Sequence, residues 1–300
     1  MSTIHKIQNY FLHLSPMKIL LCGYCTIIFI GSCLLSLPIA VRQPQDADFF
    51  TGFFTATSAA CVTGLIRVDT YTHWSFFGQA VILGLIQVGG IGFMTLCISI
   101  MTITKRKIGL VSRSLMQNSV SAPQIGGIVK MTRFIIIGTF LIESIGAVLL
   151  SFHFCPMFGL KKGIWYSIFH SISAFCNAGF DLMGTVQPFS SLTGELGNWY
   201  VNIIIMLLII IGGLGFFVWH DIVTAKWHFH KMHLHSKLVL SVSAFLIIGG
   251  TLLLFVCEQG TPMFENLSLS EQLAASSFQS VSARTAGFNT VNLTELTQAG

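Results

Sequence analysis

Residues 171–181 read SISAFCNAGFD and residues 280–290 read SVSARTAGFNT. Both carry Ala-Gly-Phe followed by Asp or Asn. An earlier stretch, SAACVTGL at 58–65, falls in register with them: Ser58-Ala59 over Ser173-Ala174, Cys61 over Cys176, Gly64 over Gly179. The third copy, Ser282-Ala283 through Gly287, fits with one residue fewer before its glycine. The three glycines stand 115 and 108 residues apart. Such separations are too long for a solenoid repeat and suit a unit of several helices. A second phrase follows the first two copies: Gln87-Val88-Gly89-Gly90-Ile91-Gly92-Phe93, and Ile210-Ile211-Gly212-Gly213-Leu214-Gly215-Phe216.

The surroundings of these phrases are made for lipid. Of 300 residues, 53% are hydrophobic and 9% charged, and mean hydropathy is +0.76. Soluble domains carry about 25% charged residues. Stretches without Asp, Glu, Lys or Arg cover 23 residues at Ile19–Val41, 35 at Thr70–Thr104, 25 at Leu196–His220 and 20 at Leu238–Cys257. Phe134–Phe158 is interrupted only by Glu143 and His153. About 20 apolar residues cross a hydrocarbon core, so five spanning helices are expected. The first 15 residues are too polar for a signal peptide's apolar core, and Ile19–Val41 is too long for one; it is expected to be a permanent span.

Net charge is +5, but the basic residues are dispersed as membrane topology requires rather than clustered for nucleic acid. Lys6 and Lys18 precede the first span; Lys105, Arg106, Lys107 and Arg113 follow the second; Lys226, Lys231 and Lys237 follow the fourth. The positive-inside rule places these segments and the N-terminus in the cytoplasm, with Lys161 and Lys162 a minority outside. A cysteine placed at Lys107 is therefore expected to resist an impermeant reagent applied to intact cells. Five of the eight cysteines (Cys22, Cys25, Cys33, Cys97, Cys257) lie in apolar runs, where a thiol acts as a small hydrophobe. No disulfide framework is expected.

The glycine phrases are too short to be spans. Asp48–Ala60 and Ile164–Phe175 each give about a dozen helix-compatible residues, about 18 Å of helix, enough to enter a bilayer halfway. Non-helical backbone at that depth survives only when buried in protein or lining a watery cavity. The expectation is a re-entrant loop: a half-helix in, an extended segment back out. Backbone carbonyls of such segments can replace an ion's hydration shell, glycine supplies the required backbone angles, and the half-helix's C-terminal dipole end favours a cation.

At this point the residues carry a resemblance. SAACVTGL, SISAFCNAGFD and SVSARTAGFNT resemble the filter loops of the Trk/Ktr/HKT superfamily of potassium transporters, and the short N-terminus is most similar to the Ktr-type membrane subunit. The resemblance implies an all-α polytopic membrane protein whose span–pore loop–span units surround a pseudo-fourfold pore. About two and a half of four units are expected here, the chain stopping within the third. The implied layout is a cytoplasmic N-terminus at 1–15, repeat 1 at 16–104 with its filter near 61–65, and a cytoplasmic loop at 105–128. Repeat 2 covers 129–225 with its filter near 176–180, a basic, histidine-rich cytoplasmic loop covers 226–237, and a partial repeat 3 covers 238–300 with its filter near 284–288. The implied potassium filter is Val62, Thr63 and Gly64; Asn177, Ala178 and Gly179; and Thr285, Ala286 and Gly287. Potassium is the implied cargo at the cell membrane, with sodium as a coupling or competing ion. The resemblance also implies a homodimer and a cytoplasmic nucleotide-binding regulatory ring as partners. A truncated, non-conducting remnant or regulatory membrane subunit is the alternative. The 300-residue chain alone is then expected not to transport potassium selectively.

Other features have plainer readings. The Gly-Gly-x-Gly runs lack the strand–helix setting and acidic residue of a dinucleotide site; close helix packing through small residues explains them, and Gly89 is expected to tolerate a serine that Gly64 does not. No nucleophile–base pair, zinc motif or phosphate loop suggests an enzyme, and no cofactor is expected. His228, His230, His233 and His235 beside Lys226 and Lys231 suggest a basic loop facing a partner or anionic headgroups more than a metal tract. Glu143, inside a span, is a functional candidate or the partner of Arg284 or of a backbone group. Arg284 is expected to point behind its loop as a brace. Asp69 and Asp181 either concentrate cations at the mouth or cap turns.

Overall fold

A computed structural model of the chain describes residues 16–92, 128–265 and 267–297. Three successive units follow one order: a long apolar helix, a shorter buried helix ending in a glycine loop, then in the first two units a further apolar helix. Unit one holds α1 (Pro16–Leu35), α2 (Phe49–Ala60), a single turn α3 (Thr70–His73) and α4 (Phe76–Ile91). Unit two holds α5 (Ile128–Phe158), α6 (Leu160–Phe175), α7 (Trp199–Gly213) and α8 (Phe216–Thr224); α9 (Leu234–Cys257) and α10 (Leu269–Thr285) follow. Among the described residues the extended pairing is one isolated antiparallel bridge, Val41 with Trp74.

Local chemistry fixes these boundaries. Asp48 caps α2, accepting from the Thr51 N–H at 3.0 Å and the Thr51 hydroxyl at 2.9 Å. These bonds, the Thr51 N–H foremost, hold the Asp48 carboxyl below its ordinary range. Being depressed in the folded chain, Asp48 contributes stability that is complete above its unfolded pKa of about 3.9 and lost as pH falls through the lower folded value. A capping box formed by Ser268 and Glu271 opens α10.

Packing is inverted relative to a soluble bundle. The half-length helices are the buried ones: Tyr166, Phe169 and Phe278 are at most 1% exposed. Many apolar residues of the long helices face outward, with Phe245 75% and Leu253 68% exposed. So much outward apolar surface belongs in lipid.

Three sequence expectations are corrected. Leu196–His220 is not one straight span: α7 ends at Gly213, and the chain bends 94° into α8. The cause is Gly215 at φ +87°, a conformation open mainly to glycine. The stretch beginning at Thr70 is helical only as the α3 turn until Ser75 caps α4; its part beyond Gly92 lies outside the described residues, as do the filter-independent expectations for 1–15 and 105–127. The second half-helix starts at Leu160, four residues before Ile164. Gly159 at φ +81° turns the chain directly out of α5, and a Cβ on Gly163 would lie 2.5 Å from the Cys155 Cα, so the missing side chain lets α5 and α6 close together.

Candidate functional site

Helices α2, α6 and α10 each deliver a glycine loop from their C-terminal end. In the first, Cys61 donates to the Thr57 carbonyl at 2.9 Å, Val62 takes φ +56°, and Gly64 takes φ +75°. The second repeats this: Cys176 donates to the Ile172 carbonyl at 2.9 Å, Asn177 has φ +58° and Gly179 φ +72°. The third reaches Gly287 at φ +78° without a left-handed residue before it. That explains its missing residue. Helix α10 runs to Thr285 and Ala286 caps it at φ −98°, so Thr285 is the last helical residue rather than part of the extended segment.

A serine one turn from each helix end ties the returning strand down. The Ser173 hydroxyl donates to the Phe180 carbonyl at 2.6 Å, and the Ser282 hydroxyl donates to the Phe288 carbonyl. In the first loop, the Thr63 hydroxyl instead reaches the Ser58 hydroxyl at 3.0 Å. Behind loop two, His170 is fully buried; its Nε2 accepts from the Leu182 N–H at 3.3 Å. The ring proton therefore sits on Nδ1, 2.8 Å from the Tyr166 carbonyl. The serines were visible in the aligned phrases, whereas nothing in the sequence signalled the role of His170.

The three loops meet at their glycines. A Cβ on Gly64 would lie 2.7 Å from the Ala178 carbonyl oxygen and 3.5 Å from the Gly179 Cα. A Cβ on Gly179 would lie 2.5 Å from the Ala286 oxygen and 3.0 Å from the Gly287 Cα. Thus Gly64, Gly179 and Gly287 are consecutive neighbours, each backbone pressed to the next where a side chain would stand.

The second glycine phrase packs against the same helix ends. A Cβ on Gly89 would sit 2.3 Å from the Ala60 oxygen, and one on Gly212 1.8 Å from the Phe175 oxygen. A Cβ on Gly90 would sit 2.4 Å from the Cys176 sulfur. Close packing is thus the role of these glycines, but Gly89 is no neutral position. The expected tolerance of serine there is corrected, because the added Cβ strikes backbone rather than a movable side chain. Gly84 on α4 has nothing within 4 Å of its would-be Cβ and is the better control.

Glu143 is 4% exposed. Both its carboxylate oxygens accept from the Gln87 amide at 3.0 Å, and its backbone carbonyl accepts from Ser171 at 2.7 Å. Its partner is therefore Gln87 rather than Arg284, and the Cys176 sulfur lies 3.9 Å from one oxygen. Replacing Gln87 with leucine strands this acid and is expected to destabilise the fold by about 1–3 kcal/mol. Thermal unfolding in detergent checks this. Arg284 donates to the Ser243 hydroxyl on α9 at 3.1 Å, behind its loop. Asp69 caps α3 through the Thr72 N–H at 2.7 Å and accepts from the Phe189 N–H at 3.0 Å. Asp181 accepts from the Met183 N–H at 2.9 Å. Both acids are buried and cap turns. No group of three or more His, Cys, Asp or Glu side chains placed to hold a metal ion occurs among the described residues.

Comparison with known proteins agrees with this architecture. A family model described as TrkH, cation transport protein, matches residues 24–300. The chain is 41% identical over 287 residues to the potassium/sodium uptake protein NtpJ of Enterococcus hirae, covering 96% of this chain and 62% of that one. It is 40% identical to the Ktr system potassium uptake protein B of Bacillus subtilis, covering 93% and 61%, and 35% identical to the protein of that name from Vibrio alginolyticus, covering 94% and 61%. The chain thus spans about three fifths of the length of these relatives. The family transports cations and is not one of enzymes. A helical polytopic membrane protein whose three glycine loops are consecutive neighbours, this chain belongs to the TrkH family of cation transport proteins.

Proposed function

We propose that the chain is the ion-translocating part of a potassium uptake system, and that its three glycine loops line the ion path with backbone carbonyls. One observation carries the reading: Gly64, Gly179 and Gly287 are consecutive neighbours, with the Ala178 and Ala286 oxygens against the glycine of the preceding loop. Three helix C-termini end at these loops, and each presents the negative end of its dipole to a cation. Residues Val62–Gly64, Asn177–Gly179 and Thr285–Gly287 form three consecutive sectors of a pseudo-fourfold ring, with Ala286 and Gly287 contributing most of the third because Thr285 remains helical. The names of the relatives support potassium as cargo, and that of NtpJ adds sodium. A homodimer and a cytoplasmic nucleotide-binding ring complete the proposed assembly, on the strength of the resemblance to Ktr-type systems. The repeat boundaries at 16–104, 129–225 and 238–300 follow the same reading.

Expression of the complete reading frame in a host lacking potassium uptake should restore growth at low external potassium. Failure to restore growth or uptake, with the protein present in the membrane, would refute the reading. Orientation is tested separately. A cysteine at Lys231 should react with an impermeant maleimide only after permeabilisation, and one at Val186, 63% exposed beyond the second loop, from outside. The reverse pattern would invert the proposed cytoplasmic N-terminus.

A further inference from the structure

Helix α9, 24 residues long and apolar, is long enough to cross a membrane, and its first residue Leu234 is 73% exposed. The elbow 216–233, made of α8 and the loop that joins it to α9, therefore reaches the boundary between lipid and water. Its exposed side chains suit that boundary. Trp227 is 81% exposed and Phe229 47%, and tryptophan is enriched at headgroup level.

The backbone makes this presentation deliberate. Helix α8 ends at Thr224, is capped by Ala225, and is followed by Lys226 at φ +49° and Trp227 at φ +63°, two successive L residues in the left-handed region usually left to glycine. The Trp227 N–H closes on the Ile222 carbonyl at 3.1 Å, which turns the indole away from the bundle. Local strain of this kind persists where a function holds it.

Charge selects the lipid. Lys226 and Lys231 are exposed, and among the described residues no carboxylate is paired with either. The acid of this stretch, Asp221, is 5% exposed and turned inward, accepting from the His233 N–H at 2.9 Å. The outer face of the elbow is therefore cationic and aromatic, with its acid removed. We infer that this elbow is a binding surface for anionic phospholipid headgroups, with Lys226 and Lys231 holding the phosphate and Trp227 seated among the acyl-chain carbonyls. The inference is independent of which ion is carried.

The test reconstitutes the full chain in phosphatidylcholine containing an equal mole fraction of brominated phosphatidylglycerol or of brominated phosphatidylcholine. Emission from Trp227 is isolated by difference from Trp227→Phe. Bromine should quench it, and the phosphatidylglycerol form should act with roughly thirtyfold higher apparent affinity at low salt, the contribution of two basic residues near an anionic surface. Lys226→Gln/Lys231→Gln should bring the two lipids to equality with quenching retained, and raised salt should do the same in the parent chain. Two results would overturn the inference. Equal quenching by both lipids in the parent chain removes the headgroup preference, and no quenching by either shows that protein covers the elbow instead. Both lysines are exposed, so the double variant keeps its fold, which the emission of the other tryptophans verifies.

Discussion

Replacing Gly212 by alanine is expected to destabilise the protein, although glycine to alanine within a helix ordinarily stabilises by about 1 kcal/mol. The sign reverses because the new methyl would lie 1.8 Å from the Phe175 carbonyl oxygen, and neither atom is at the end of a flexible side chain. Either α7 or the end of α6 must move. Overpacking of this kind costs about 1–3 kcal/mol, and here the displaced element is the helix that delivers Gly179 to the centre. Gly249, within α9, has nothing within 4 Å of its would-be Cβ; Gly249→Ala should leave the unfolding midpoint unchanged or raised. Thermal unfolding of the two variants in detergent, followed by tryptophan emission, separates them. A Gly212→Ala protein as stable as the parent would mean that α7 and α6 are not packed as described.

Repetition is what made the centre legible. A single Ala-Gly-Phe in an apolar chain is an ordinary helix break, but Gly64, Gly179 and Gly287 in register, each after a half-length helix, imply one device used three times. The serines ahead of each glycine, Ser58, Ser173 and Ser282, were written in the same alignment. Hydropathy also gave the class of protein. It failed where one backbone angle outweighs composition: nothing apolar or polar distinguishes Leu214-Gly215 from its neighbours, and φ +87° at Gly215 divides an uncharged run into two helices at right angles. Long-range contacts were equally hidden. Gln87 and Glu143 meet across 56 residues, and no local pattern marks them as partners. Gly89 and Gly212 read as small residues for packing, yet that they pack on carbonyl oxygens at the ends of α2 and α6 depends on how the helices cross. The third loop's shortened phrase was visible, but its cause was not: α10 extends through Thr285 and the left-handed residue drops out.

Serine at Gly64 tests the carbonyl-lined path most directly. The position has φ +75°, and a Cβ there would lie 2.7 Å from the Ala178 oxygen, the very carbonyl proposed to face the ion. An L residue in this left-handed conformation costs about 1–2 kcal/mol, so backbone and neighbouring carbonyl should both shift. About 1.4 kcal/mol separates a tenfold ion preference from none. The measurement is the ratio of potassium to sodium uptake for the parent, Gly64→Ser and Gly84→Ser, each in the complete reading frame and at matched membrane abundance. Gly84→Ser makes the same chemical change on α4, where nothing lies within 4 Å. A ratio lowered at least about tenfold in Gly64→Ser and unchanged in Gly84→Ser is expected; a Gly64→Ser protein that keeps the parent's ratio would contradict the placement of the ion path at the three glycines.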